Sequence, residues 1–245
     1  MKKIGMMNKH INDKIELPVS FRVFGIGDKT QSILDEINSW DYPGVKTLIW
    51  HEEEIIPSEE DEMVIFINPD NYDINALSKS FYDADILTLL VVSEGFKESN
   101  GCYDAFSITK GSDTIHTIFG ILYPLFHHGF IAFDFYDIRL FFKGQGRFKV
   151  IFDKYEWIDT ILHQALDTFR NSYCEWDTIA RIALIFSINR KENLSLKATE
   201  LLPIQELLSN LPPSVDIKWG FIDDNELGRD YFQMIGILSG KNLKF

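Results

Sequence analysis

The sequence predicts an α/β fold in two parts: a parallel sheet covered by helices, then a central helix leading into a smaller α+β region. Three observations carry this. A short apolar strand at residues 21–24 runs directly into Gly25-Ile26-Gly27 and then into Ile33, Leu34 and Ile37 at helical spacing. Strand, glycine turn and helix in that order open an α/β sheet. Residues 63–67 and 86–92 are unbroken apolar runs, the pattern of parallel strands buried on both faces. After Gly129 the style changes to strand, helix, strand, helix and two closing strands.

Each element follows from local chemistry. Residues 41–44 break the first helix, and residues 45–50 read as the next strand. The strand at 63–67 ends at Asn68-Pro69-Asp70, and Ile74, Leu77 and Phe81 then mark a helix. Residues 105–109 form a weaker strand after the polar loop holding Asn100-Gly101. A longer helix spans residues 113–127, with Pro124 in its last turns, where it should bend or end the helix, and Gly129 as its stop. Residues 147–152 alternate Phe148, Val150 and Phe152 as a strand. Ile158, Ile161, Leu162, Ala165, Leu166 and Phe169 make one stripe of an amphipathic helix. Residues 179–188 read as a central strand. Pro203 suits the first turn of a helix carrying Ile204, Leu207, Leu208 and Leu211. Residues 217–222 and 232–238 are expected to form a hairpin across Asp223-Asp224-Asn225-Glu226. No internal repeat is visible.

At 245 residues, with 45% hydrophobic and 25% charged residues, the chain can bury a sizeable core. Its net charge of -13 argues against nucleic acid or an anionic membrane as partner, since both attract a positive field. Residues 51–54 and 58–62 carry seven carboxylates around Ile55, Ile56 and Pro57. They read as a solvated loop, with a metal or partner site as the other reading. Cys102 and Cys174 match neither a disulfide framework nor a zinc pattern. Residues 1–13 lack an apolar core of signal-peptide length, and the apolar stretches 86–92 and 115–126 are too short or interrupted to cross a bilayer. The expectation is a cytoplasmic chain with no membrane insertion and no nucleic acid.

Three stretches resemble FtsZ, the bacterial relative of tubulin. Phe133-Asp134-Phe135-Tyr136-Asp137-Ile138-Arg139, after Gly129-Phe130-Ile131-Ala132, resembles the family's catalytic loop and the short helix behind it. Trp219-Gly220-Phe221-Ile222-Asp223-Asp224-Asn225-Glu226, with Gln233-Met234-Ile235-Gly236-Ile237-Leu238-Ser239-Gly240, is similar to the close of its C-terminal domain. Phe21-Arg22-Val23-Phe24-Gly25-Ile26-Gly27 resembles the first strand and the start of the phosphate-binding turn. The resemblance covers roughly residues 21–240 and implies a tubulin/FtsZ-like fold. On it, residues 17–128 are a reduced GTPase-type, nucleotide-type α/β domain including the central helix, and residues 129–245 an FtsZ-like C-terminal α+β domain.

The residues at the implied site depart from the family's pattern. Glycines let backbone N–H groups approach a phosphate, and helix N-termini favour it. The first loop keeps Gly25 and Gly27, which serve equally as a structural turn, but continues Asp28-Lys29-Thr30 where the family favours glycine. Asp28 repels a polyphosphate, while Lys29 and Thr30 can bind one. Where the family places a second, glycine-rich loop, this chain has Asn68-Pro69-Asp70-Asn71-Tyr72-Asp73. Pro69 has no N–H donor, and Asp70 and Asp73 are helix-capping types that would take the end meant for phosphate. Residues 93–103 leave no room for the helix the family carries there. The family's Asn and two acidic residues of the catalytic loop fall on Ala132, Asp134 and Asp137. The two aspartates can poise a water or cation, or form a capping box. Asp113 lies one residue away from the family's base-contacting acid. His127 and His128 end the central helix, where imidazole can bond free carbonyls.

The resemblance with these departures implies a structural or regulatory FtsZ-like protein without efficient GTP binding or hydrolysis. It would act through protein partners, either FtsZ-type filaments or its own copies, and no cofactor is expected. One alternative is a divergent filament-forming GTPase binding GTP or GDP through Lys29 and Thr30. Another is an unrelated metal-dependent α/β enzyme with an acidic cleft at Asp70, Asp73 and Asp134.

Overall fold

The computed structural model describes residues 20–98, 101–127, 129–131, 133–156, 161–171, 175–189, 202–209, 211–228 and 231–245. Asn100, His128, Ala132, Ile158 and Cys174, named above, lie outside them. The first half contains β1 (Ser20–Ile26), a 3-10 turn (Asp28–Thr30), α1 (Gln31–Ser39), β2 (Val45–Trp50), β3 (Asp61–Asn68), α2 (Asn75–Asp83), β4 (Leu87–Val92), β5 (Ala105–Ile108) and α3 (Asp113–Phe126). The second contains β6 (Gly129–Ile131), α4 (Phe135–Phe142), β7 (Gly146–Glu156), α5 (Ile161–Asn171), a 3-10 turn (Trp176–Thr178), β8 (Arg181–Ile188), α6 (Leu202–Ser209), β9 (Asp216–Asp223) and β10 (Tyr231–Ser239).

Among the described residues the strands join into one ten-stranded sheet in the order β2-β1-β3-β4-β5-β7-β10-β8-β9-β6. β1 to β5 pair in parallel. β7 is the seam. Its first residues pair in parallel with β5 (Ala105 with Gly146, Phe106 with Arg147), and from Phe148 onward it runs antiparallel to β10. Gly146 makes that entry at φ 78°, a conformation that suits glycine.

Period-two alternation assigns the faces. On β3, Met63, Ile65 and Ile67 face the core under α1, α3 and α4, while Val64 and Phe66 face α2. The first of these cores runs through both halves, joining Leu89 and Val91 of β4 to Ile235 and Ile237 of β10 beneath Ile118, Ile121 and Leu122 of α3. α5 and α6 cover the opposite face of the second half through Ala165, Phe169 and Ile204.

Three expectations are corrected. β9 and β10 do not form a hairpin, because β8 lies between them, parallel to β9 and antiparallel to β10. The cause is burial: Ile182 to Ile188 are all buried, with Ala183 and Ile185 in one core and Leu184 and Phe186 in the other. A strand covered on both faces satisfies its backbone only with a ladder on each side. Gly129 begins a short strand paired with β9 rather than only ending a helix. Asp61, assigned above to the solvated acidic loop, opens β3. Its carboxylate is buried, takes Arg22 Nε at 2.8 Å and accepts from Ser58 N at 2.7 Å.

Tyr123 of α3 anchors the second half. Its hydroxyl donates to Asp224 Oδ2 at 2.8 Å, and Asp224 Oδ1 accepts from the N–H groups of Glu226 (2.9 Å) and Leu227 (3.2 Å). Burial raises the Tyr123 and Tyr42 phenols, with the charge of Asp224 adding to it. Burial also pushes Tyr103 up to about 12, with Glu98 adding to it. An unfolded tyrosine ionises near pH ~10. Folded-state values raised above that give stability that is whole below about pH 10 and is lost as the pH climbs toward about 12. Thermal midpoints should therefore hold steady up to about pH 9.5 and fall above about pH 10, with phenolate absorbance rising in step with unfolding. Titration of all 9 tyrosines together in the folded protein would contradict this.

Candidate functional site

The carboxyl ends of β1, β3, β4 and β5 lie together, the place where open α/β sheets hold ligands. The turn after β1 is shaped by close packing. A Cβ on Gly25 would lie 2.1 Å from Thr30 Oγ1, and Gly27 sits at φ 79°. Thr30 is buried, and its hydroxyl donates to Gly27 O at 2.7 Å. Lys29 Nζ reaches Asp70 Oδ1 at 2.7 Å, and that contact raises the pKa of the lysine. Asp28 points to solvent, with His51 Nε2 3.7 Å away.

The loop after β3 is held by its own polar groups. The Asn68 amide bonds the Tyr72 main chain twice, Oδ1 accepting from N at 2.9 Å and Nδ2 donating to O at 2.8 Å. This carries the Tyr72 ring over the first turn, where a Cβ on Gly27 would lie 3.6 Å from Tyr72 Cε2. Asp73 Oδ1 accepts from Asn75 N at 3.0 Å in the turn that leads into α2, whose N-cap position is taken by Ile74 and not by an aspartate. Asp70 does not cap. Its carboxylate is taken by Lys29, a partner 41 positions away that no local pattern indicates. The Ser93 hydroxyl donates to Pro69 O. Between this loop and the start of α3 is a cavity of about 220 Å³, lined by Ile33, Pro69, Ser93, Glu94, Thr109 and Lys110 among others. Lys110 and Glu94 are 3.8 Å apart. Asp113 is exposed in the first turn of α3.

Asp134 and Asp137 lie at the other end of the molecule. They form a reciprocal capping box: Asp137 N donates to Asp134 Oδ1 at 2.9 Å, and Asp134 N to Asp137 Oδ2 at 3.1 Å. A cap of this kind contributes about 1 kcal/mol. Asp137 also pairs with Lys218 of β9, whose ammonium lies 5.1 Å from the Phe133 ring centroid. Tyr136 and Leu140, one turn apart on α4, are 66% and 45% exposed. Next to this end, Arg139 and Lys143 of α4 hold Asp85 in the turn before β4. Leu87 to Val92 of β4 separates the two ends, about 17 Å at strand rise. Asp134 therefore shares no acidic cleft with Asp70 and Asp73. Among the described residues, no group of three or more His, Cys, Asp or Glu is placed to hold a metal ion.

His127 Nδ1 lies 2.9 Å from Tyr123 O and its ring stacks on Tyr123 at 3.9 Å. It meets a free carbonyl at the end of α3, as helix geometry leads one to expect. Tyr72 and Lys218 were not singled out by the sequence. Tyr72 is placed by the Asn68 clamp and Lys218 by register on β9, both dependent on the folded chain.

No protein-family model matches this sequence, and no curated protein matches it. Solved structures do. The chain is similar to a tryptophan-to-tyrosine variant of FtsZ from M. jannaschii at 12% identity and TM-score 0.69, covering 91% of each chain. It is similar to an empty FtsZ dimer from the same organism at 13% identity and TM-score 0.67, covering 91% of this chain and 88% of that one. It is also similar to TubZ of Bacillus thuringiensis serovar israelensis, solved as GDP-form protofilaments, at 9% identity and TM-score 0.62, covering 92% and 85%. Element order, sheet and near-complete mutual coverage agree: the chain has the tubulin/FtsZ-type fold.

Proposed function

We propose that this chain is a tubulin/FtsZ-type subunit without a working GTP site, acting through protein contacts as a filament cap, an adaptor or a self-assembling unit. One observation carries the reading: Lys29 is engaged by Asp70 while Tyr72 covers the phosphate turn. A triphosphate there would meet Asp28, would have to displace Asp70 from Lys29, and would find Pro69 without an N–H to offer. Asp134 and Asp137 serve the fold as a cap, so no hydrolytic step is assigned to them.

The opposite end supports a contact role. The capping box fixes α4, and α4 presents Tyr136 and Leu140 to solvent. TubZ has been solved as protofilaments and as a four-stranded filament, so subunits of this fold stack. A chain that keeps one contact end and alters the other suits a terminal or adaptor position. No helix among the described residues is long and apolar enough to cross a membrane, and a cytoplasmic location goes with this reading.

Sedimentation of the purified chain with and without magnesium-GTP tests it. The pelleted fraction should be the same in both. Linear polymers that form only with GTP would overturn the reading and favour the divergent GTPase, in which Asp28→Gly should tighten GTP binding and Lys29→Ala abolish it.

A further inference from the structure

We infer that the altered phosphate end is a receptor for a guanidinium, the side chain of an arginine presented by a protein partner other than this chain. The inference rests on the reading that this end contacts protein and not a polyphosphate. Beside the β1 turn, on the β2 side, lies an open cavity of about 320 Å³ whose lining includes Gly27, Asp28, Trp50, His51, Glu52 and Tyr72. Two of these are large aromatic rings. Trp50 is fixed by its indole N–H, which donates to Glu53 O at 2.8 Å. Tyr72 is fixed through its main chain by Asn68. Asp28 and Glu52 add carboxylates, and the Asp28 side chain is 91% exposed. The nearby lysine, Lys29, is taken up by Asp70.

Aromatic faces with carboxylates beside them favour a cation that carries a flat or apolar body. Guanidinium fits better than ammonium, because it stacks on rings and bonds carboxylates through a planar fork. The occupant is not a second copy. Each copy carries a net charge of -13. At the opposite end, the cations Lys218, Arg139 and Lys143 are already paired with Asp137 and Asp85, while Asp134 stands exposed. Head-to-tail stacking of this chain on itself would bring carboxylates together at the joint.

The probe is N-acetylargininamide, titrated at low salt against the full chain and followed by tryptophan fluorescence, with Trp50→Phe identifying the signal. Saturable binding is expected. It should weaken about fivefold in Tyr72→Ala and by a similar factor in the Asp28→Asn, Glu52→Gln double variant. All three side chains are exposed, so the variants should keep the wild-type thermal midpoint. Neutral N-acetylcitrullinamide should give no response. Equal binding of the citrulline analogue, or unchanged affinity in the variants, would overturn the inference. Micromolar GTP binding would instead defeat the underlying reading of this end, and failure of argininamide in a protein that also ignores GTP would defeat the cation pocket alone.

Discussion

Lys143→Met is expected to destabilise the protein by about 2–3 kcal/mol, and adding Asp104→Asn should return part of that loss. Asp104 opens the seam between the two halves of the sheet. Its main chain exchanges bonds with Thr88 and Gly146, through Asp104 N to Thr88 O at 2.8 Å and Gly146 N to Asp104 O at 2.9 Å. Its carboxylate is 1% exposed and accepts from Thr88 N at 3.0 Å. Its countercharge is Lys143 Nζ, 3.3 Å from Oδ1. Lys143 also reaches Asp85 at 2.9 Å. Removing one partner of a buried ion pair strands the other charge and costs ~3–5 kcal/mol. Lys143 is 34% exposed, so solvent screens part of the effect and the lower figure applies. Asparagine at position 104 can still accept from Thr88 N without leaving a buried charge. Urea denaturation of the single and double variants measures both terms. A single-variant change within about 0.5 kcal/mol, the usual surface value, would show that Lys143 does not compensate Asp104.

Gly236→Ala should cost about 2–3 kcal/mol, although it adds one methyl group. Gly236 lies mid-strand in β10, between Leu184 of β8 and Ile151 of β7. A Cβ there would lie 2.2 Å from Phe169 Cε2. Phe169 is fully buried and packs against Trp176 at a centroid distance of 5.6 Å. The ring cannot withdraw without moving α5. Phe169→Leu should therefore cost less in the Gly236→Ala background than in the wild type, a coupling that a double-mutant cycle reads directly. Simple additivity would contradict the contact.

β3 and β4 were legible in the sequence because parallel strands buried on both faces write unbroken apolar runs, whereas β6, three residues after the central helix, was not. α1, α2 and α5 were legible from their spacing. The Asp134–Asp137 capping box was also legible, since its two carboxylates are three positions apart and bond each other's backbone. Pairings decided at long range were not. The position of β8 between β9 and β10 depends on burial on both faces, which periodicity alone does not order. Asp61 reads as solvated in the sequence because its partner, Arg22, lies 39 positions away. At the candidate site, the absence of glycine from residues 68–73 was visible in the sequence. What the loop holds there, a Lys29–Asp70 pair and a tyrosine over the β1 turn, depends on the Asn68 side chain.

On this reading, the end of the fold at the β1 turn does not hold a guanine nucleotide. Calorimetric titration of GTP and GDP, with magnesium, into the purified full chain tests it most directly, together with a search for nucleotide released on denaturation. No heat of binding at high micromolar protein and no released nucleotide are expected. Saturable binding at micromolar affinity would contradict it, because Asp70 and Tyr72 would then have to leave the turn after β1.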